Sequence, residues 1–205
     1  MAASFDREQL LNALDDVGRA AIEAKTRVKI AVYGGSALML AGNFRFSTED
    51  VDIAALDEPW PQWLADIVAQ LAQRNQWSEN WLNDAVGPFL SPLARPDDDL
   101  IPFGTFPRNT SETGLCVFVP TARYMLALKL MALRMSDFPK GSSDMSDVAA
   151  LLQVLKITEV EPAIQVLAEY FPRRAADADK QRFVLKYILS MERLRDAPDY
   201  PRGDD

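Results

Sequence analysis

Apolar residues recur along this chain at two periods, one typical of strands and one typical of helices. Short runs in which apolar and β-branched residues alternate with other residues predict strands that bury one face. These predicted strands lie at residues 28–32, 47–53 and 115–119. Apolar residues at three- and four-residue intervals predict amphipathic helices. The predicted helices cover residues 5–25, 37–41, 59–75, 121–135, 144–155, 159–170 and 176–195.

This order of elements predicts an α/β part followed by a helical part. We place the α/β core at residues 1–119, the helical part at residues 120–196, and a disordered tail at residues 197–205. Residues 77–113 are rich in Pro, Asn, Asp and Trp and are predicted to be mostly loops with short elements. A cleft is expected between the two parts.

Composition narrows the chemistry that the chain can perform. Histidine is absent and cysteine occurs once, at Cys116, so His-based catalysis, an internal disulfide and a Cys/His zinc site are excluded. Carboxylate and metal chemistry is the natural option that remains. The net charge of −8 argues against a broad nucleic-acid surface. Seven basic residues between 171 and 195 indicate either a solvated helix face or a local phosphate-binding patch.

The sequence shows no segment that predicts a membrane span or a signal peptide. No apolar run approaches the ~20 residues that a span requires, and the N-terminus lacks a basic start followed by an apolar stretch. We therefore expect a cytoplasmic protein with no membrane partner.

A glycine turn separates the first predicted strand from the first short helix after it. Gly34, Gly35 and Ser36 stand at this point. A strand, a tight turn and a helix in that order direct backbone N–H groups and the helix dipole toward an anion, typically a phosphate. The sequence therefore predicts a phosphate site here, although such a triplet on its own also occurs in ordinary turns.

Two carboxylates follow on the next predicted strand. Asp50 and Asp52 are two residues apart and are expected to point to the same side of that strand, because side chains alternate. Paired carboxylates repel each other unless a cation lies between them, and hard oxygen ligands suit Mg²⁺ or Mn²⁺. Arg45, shortly before them, is either a phosphate contact or a counter-charge for the acids.

The combination of these motifs resembles the nucleotidyltransferase fold superfamily, whose members are DNA polymerase β-like. Gly34-Gly35-Ser36, Arg45 and Asp50-Val51-Asp52-Ile53 look more narrowly like its AbiEii-like branch, which includes toxin components of toxin–antitoxin and abortive-infection pairs. Lys129, Arg134 and Asp144-Met145-Ser146-Asp147 are similar to a later pattern of the same branch. The resemblance implies a nucleotidyltransferase-like mixed sheet with flanking helices, followed by helices.

The resemblance also implies an activity. The expected reaction is Mg²⁺-dependent transfer of a nucleoside monophosphate from a nucleoside triphosphate to an acceptor hydroxyl, on an RNA or tRNA end or on a protein side chain. Gly34, Gly35, Ser36 and Arg45 would bind the nucleotide, and Asp50 and Asp52 would bind the metal. Lys129 would contact the leaving phosphates. A small antitoxin or regulator is an expected partner.

Lys129 and Asp144 each have two interpretations. Lys129 lies in an apolar helix, so its ammonium either extends to solvent or meets an anion, a phosphate or a carboxylate. Asp144 either caps the helix that it opens or faces Lys129 in the site, as the resemblance implies.

The chain departs from the general superfamily pattern at one place. Many nucleotidyltransferases carry a third carboxylate on a later strand, but residues 115–119 contain no acid. Either Asp84 or one of the aspartates at 97–99 replaces it, or two carboxylates suffice, or activity is lost. The last possibility is an inactive nucleotidyltransferase-like protein that binds a nucleotide or a partner protein.

Overall fold

The computed structural model of the chain describes residues 3–42, 45–56, 60–133 and 140–191, without the side chains of residues 140–142. Arg134, the start of the helix predicted at residue 59, the end of the helix predicted to reach residue 195, and the predicted tail at residues 197–205 lie outside the described residues.

The α/β prediction is confirmed, since a mixed five-stranded sheet with flanking helices is followed by further helices. The strands are β1 (Phe5–Asp6), β2 (Val28–Val32), β3 (Ser47–Thr48), β4 (Val51–Ala55), β5 (Leu82–Asn83), β6 (Leu100–Phe106) and β7 (Leu115–Pro120). The helices are α1 (Arg7–Glu23), α2 (Gly34–Ala41), α3 (Gln62–Asn75), α4 (Pro96–Asp99), α5 (Ala122–Ala132), α6 (Lys140–Val154), α7 (Val160–Tyr170), α8 (Pro172–Ala176) and α9 (Asp179–Ser190). Among these described helices, none combines the length and the apolar character that crossing a membrane requires.

The chain forms two compact units. The first comprises Met1–Pro88 and Leu100–Val119, and the second comprises Phe89–Asp99 and Pro120–Asp205. The short segment at 89–99 therefore belongs with the C-terminal helices rather than with the sheet.

The main sheet of the first unit has the order β5-β4-β2-β7-β6 in the described part of the chain. Strand β2 pairs antiparallel with β4 and parallel with β7, and β4 pairs parallel with the short strand β5. The apolar residues that alternate along β2 and β4 are the ones that the structure buries. Almost fully buried are Ile30, Val32, Val51 and Ile53. This buried face supports the strand that carries Asp52.

Strand β6 was not predicted by the apolar pattern, which indicated loops across residues 77–113. Its sequence contains Pro102 and Gly104, residues that weaken a strand interior. The topology explains why they are tolerated. Strand β6 is at the edge of the sheet, where a proline without an N–H group removes no bond from a central ladder.

The segment just before β4 belongs to a second sheet, which has two strands. Strand β3 pairs antiparallel with β1, with Phe5 opposite Thr48 and Asp6 opposite Ser47. Phe5 is buried and packs on Trp77, with the ring centroids 4.5 Å apart. The backbone at residues 47–48 is thereby attached to the core of the first unit.

In the second unit, helix α5 begins as the sequence predicts. Thr121 is its N-cap and accepts a hydrogen bond from the Tyr124 backbone N–H at 3.2 Å.

Helix α6 begins at Lys140, four residues before the predicted start. Asp144 is therefore inside this helix and does not cap it, so the capping interpretation was wrong.

The aspartates at 97–99, predicted as a loop, lie in α4, and Asp99 accepts a hydrogen bond from the Tyr170 hydroxyl at 2.5 Å.

Candidate functional site

The predicted glycine turn is the first turn of helix α2. Gly34 opens the helix with φ of +65°, a left-handed conformation that glycine adopts without a steric penalty. Tyr33 is the N-cap, and its side chain makes no capping hydrogen bond. The N-terminal turn of an α-helix carries N–H groups with no partner inside the helix. It also carries the positive end of the helix dipole, so this turn is suited to an anion.

Two charged side chains lie directly against the glycines. A β-carbon added to Gly34 would be 3.0 Å from Asp52 Oδ2, and one added to Gly35 would be 2.9 Å from a terminal nitrogen of the Arg45 guanidinium. The absence of side chains at both positions therefore allows a carboxylate and a guanidinium to approach the helix start. Asp52 and Arg45 also make other contacts in the structure.

The turn is tied to the acidic segment through the backbone of Asp50 and Asp52. The Tyr33 N–H donates to the Asp52 carbonyl at 2.8 Å. The Ser36 hydroxyl donates to the Asp50 carbonyl at 2.5 Å, and the Thr48 hydroxyl donates to the same oxygen at 3.0 Å. These bonds fix the spacing between the helix start and the two acids.

Ser36 is predicted to bind a phosphate through its hydroxyl, but the structure places that hydroxyl in a buried position. Ser36 is 1% exposed, and its hydroxyl donates to the Asp50 backbone carbonyl. In this arrangement Ser36 positions Asp50. The phosphate contact of the Ser36 side chain stays a prediction, while the Ser36 backbone belongs to the same helix turn as the glycines.

The two acids differ in their surroundings. Asp50 lies one residue before β4 and is exposed, whereas Asp52 lies within β4 and is half-buried. An exposed acid is free to turn toward a ligand, and a half-buried one is held by its strand. Across residues 3–42, 45–56, 60–133 and 140–191, no group of three or more Asp, Glu, Cys and His side chains is arranged to hold a metal.

Asn83 is a neighbour of Asp52 that the sequence analysis did not select. Strand β5 pairs in parallel with β4, and Asn83 is opposite Asp52 in the register, so the two side chains leave the same face of the sheet. The Asn83 carboxamide oxygen accepts a hydrogen bond from the Ala85 N–H at 3.0 Å. A carboxamide oxygen has two lone pairs and is a hard ligand of the kind that Mg²⁺ prefers. The Pro/Asn-rich composition around Asn83 gave no sign of a strand there.

None of the acids considered as a third carboxylate lies on a strand of the sheet in the described residues. Asp84 follows Asn83 beyond the end of β5, and the aspartates at 97–99 belong to the second unit. Strand β7 pairs with β2 through residues that include Cys116 and Phe118, and no acid occurs in it.

Lys129 and Asp144 meet in the second unit. The Lys129 ammonium is 3.2 Å from Asp144 Oδ1 and 2.7 Å from Asp147 Oδ2. The side chains of Lys129, Asp144 and Asp147 are 11%, 20% and 3% exposed. Lys129 therefore does not extend into solvent but is bound by two carboxylates between α5 and α6. Asp147, for which no role was predicted, is the most buried member of this triad.

Gly34 gives a direct test of the turn geometry. Gly34→Ala is expected to lower the free energy of unfolding by about 1–2 kcal/mol, because an L-residue disfavours the left-handed conformation. It should also displace the Asp52 carboxylate, which would be 3.0 Å from the new β-carbon. Urea denaturation of Gly34→Ala measures the loss. Gly87→Ala is the matched control, since a β-carbon at Gly87 would meet nothing within 4 Å. Equal midpoints for Gly34→Ala and the wild-type protein would contradict the assigned backbone conformation.

Comparison of this chain with family models, with curated proteins and with solved structures finds no match.

Proposed function

We propose that this protein is a Mg²⁺-dependent nucleotidyltransferase that moves a nucleoside monophosphate from a nucleoside triphosphate to an acceptor hydroxyl. The observation that carries the proposal is the arrangement at the start of α2. A carboxylate that attracts a metal ion lies against Gly34, and a guanidinium that attracts phosphate lies against the adjacent Gly35. A metal-bound triphosphate presents both kinds of charge and is complementary to this arrangement.

Different residues of the first unit would bind the phosphates and the metal ion. The backbone N–H groups of Gly34, Gly35 and Ser36, together with the Arg45 guanidinium, would bind the β- and γ-phosphates. Asp50 and Asp52 would hold the metal ion through carboxylate oxygens, with the Asn83 carboxamide beside Asp52. These oxygen donors fit Mg²⁺ or Mn²⁺. When bound, the ion supplies charge neutralisation at the phosphates and acidifies an acceptor hydroxyl.

The transfer itself requires few protein groups. The acceptor oxygen attacks the α-phosphorus and forms the new phosphate ester, while the bond from the α-phosphorus to the bridging oxygen breaks. Pyrophosphate leaves with that electron pair, and the proton of the acceptor hydroxyl passes to solvent water. Arg45 and the helix N–H groups would stabilise the charge that develops on the leaving phosphates, which is the main protein contribution in phosphoryl transfer.

The family resemblance assigns further roles. It assigns Lys129 to the leaving pyrophosphate and Asp144 to orientation of Lys129 or of the acceptor. It also suggests an RNA or tRNA end, or a protein side chain, as the acceptor, and a small antitoxin or regulator as a partner. The 3.2 Å contact between Lys129 and Asp144 supports a joint role for these two residues.

An assay of label transfer tests the proposal. The protein is incubated with Mg²⁺ and each α-labelled nucleoside triphosphate, with total RNA in one set and a protein extract in another. We expect label in one of the two fractions and an equivalent release of pyrophosphate. No label in either fraction, with no pyrophosphate released, would contradict catalysis.

The second candidate function is nucleotide binding without transfer. It is favoured by the absence of a three-acid group among the described residues. Calorimetry with Mg²⁺ and a non-hydrolysable nucleoside triphosphate, together with the label-transfer assay, separates the two candidates. Binding without any label transfer supports the second one.

A further inference from the structure

One aromatic side chain next to the candidate nucleotide site is almost entirely in solvent. Phe46 is 90% exposed, more than any other large apolar side chain that the structure describes as exposed. The next most exposed is Phe183, at 65%. Single exposed apolar residues are common on protein surfaces, so exposure alone assigns no role to Phe46. Its position along the chain is more informative.

Phe46 lies between two anchored residues. Arg45, on one side, places its guanidinium 2.9 Å from the β-carbon position of Gly35. Ser47, on the other side, pairs with Asp6 in the small sheet, and Thr48 bonds to the Asp50 carbonyl at 3.0 Å. Neighbouring Cα atoms are about 3.8 Å apart, so the Phe46 Cα lies one residue beyond the Cα of Arg45, whose side chain reaches the start of α2.

The surroundings of Phe46 do not resemble the centre of a protein interface. Ser47, Glu49 and Asp50, which follow it, are exposed and polar or charged. The central part of a protein interface is depleted of charged residues and is built from several apolar neighbours. A single flat ring next to an arginine is better suited to one planar ligand.

We propose that Phe46 stacks on the base of the nucleotide whose phosphates bind at Gly34, Gly35 and Arg45. This inference rests on the proposed function and adds the contact for the base, which the glycines and acids do not provide. Stacking uses the face that all nucleobases share, so Phe46 would raise affinity for each of the four nucleotides rather than select one.

Two ligands that differ in the base test this contact. Calorimetry in excess Mg²⁺ compares a non-hydrolysable nucleoside triphosphate with inorganic tripolyphosphate, which has no base. Phe46→Ala should weaken nucleotide binding about tenfold, the effect of losing one stacked ring, and should leave tripolyphosphate binding unchanged. Phe46→Tyr keeps an aromatic face and should bind the nucleotide like the wild-type protein. Phe183→Ala, an exposed phenylalanine of the second unit, is the matched control and should change neither ligand.

The outcomes separate the inference from the proposed function. If Phe46→Ala binds the nucleotide like the wild-type protein, while Asp52→Asn does not, the stacking role is wrong and the proposed function stands. Equal weakening of nucleotide and tripolyphosphate in Phe46→Ala would also overturn it, because Phe46 would then act through the position of Arg45. If the wild-type protein binds neither ligand, both the inference and the proposed function fail.

Discussion

Asp52→Asn should reduce nucleotide transfer at least about 100-fold, the scale of losing one strong electrostatic contact in a transition state. Asparagine preserves the size of the side chain and one of its oxygens, but it removes the negative charge that a metal ion requires. Asp52 is half-buried in β4, and its carboxylate lies against Gly34, so it is held where a metal-bound phosphate is expected. The initial rate of label transfer at saturating nucleotide measures the effect.

Asp66→Asn is the control for Asp52→Asn. Asp66 is an exposed acid on α3 of the same unit, bonded to the Gln62 side chain at 3.2 Å, and its replacement should leave the transfer rate unchanged. Asp66→Asn should melt near the wild-type temperature, because surface changes usually alter stability little, and a melting curve of Asp52→Asn shows whether that variant is folded. Full activity of a folded Asp52→Asn protein would remove Asp52 from the reaction.

The sequence predicted the parts of this site that depend on local pattern. Alternation identified strand β2, and it placed Ile30 and Ile53 in the core. The single strand predicted over residues 47–53 is divided into β3 and β4, and Asp50 lies between them rather than on a strand with Asp52. The glycines were recognised because they lie between a predicted strand and a predicted helix, and the acids because paired carboxylates are unusual on an apolar strand. A local pattern does not show which side-chain oxygen lies close to which backbone segment. The contact between Asp52 and the Gly34 position joins residues 18 apart in sequence and depends on the pairing of β2 with β4.

The elements that sequence reasoning missed depend on distant pairing. Asn83 gains significance only because two residues of β5 pair with β4, and such a short strand leaves no periodic pattern. Strand β6 contains a proline, and its tolerance follows from its edge position. In both cases the tertiary partner outweighs the local propensity.

Asp144 shows the same limit within a helix. An acid after a Ser-rich segment is typical of a helix start, but α6 begins at Lys140. Asp144 is instead one of two carboxylates around Lys129. Because Lys129 is enclosed by α5 and α6, we expect its replacement to lower the free energy of unfolding, apart from any effect on a reaction.

Lys129→Met should lower the free energy of unfolding by about 3–5 kcal/mol, the loss found when one member of a buried ion pair is removed. Methionine matches the length of the lysine stem, so packing changes little. The variant leaves Asp144 and the 3% exposed Asp147 without the ammonium that lies 3.2 and 2.7 Å from them. Urea denaturation of the purified protein measures the change. Lys186→Met, the same substitution at an exposed position on α9, should change stability by no more than about 0.5 kcal/mol.

A second substitution separates the stabilising role of Lys129 from a role in transfer. Lys129→Met combined with Asp147→Asn removes a buried negative charge and should recover part of the lost stability, since the carboxylate that remains is the more exposed Asp144. If Lys129 contacts the leaving phosphates, this recovered protein still transfers label about 100-fold more slowly than the wild-type protein. If Lys129 only joins α5 to α6, the double variant regains activity together with stability. Unchanged stability of Lys129→Met alone would show that the ion triad contributes nothing to the fold.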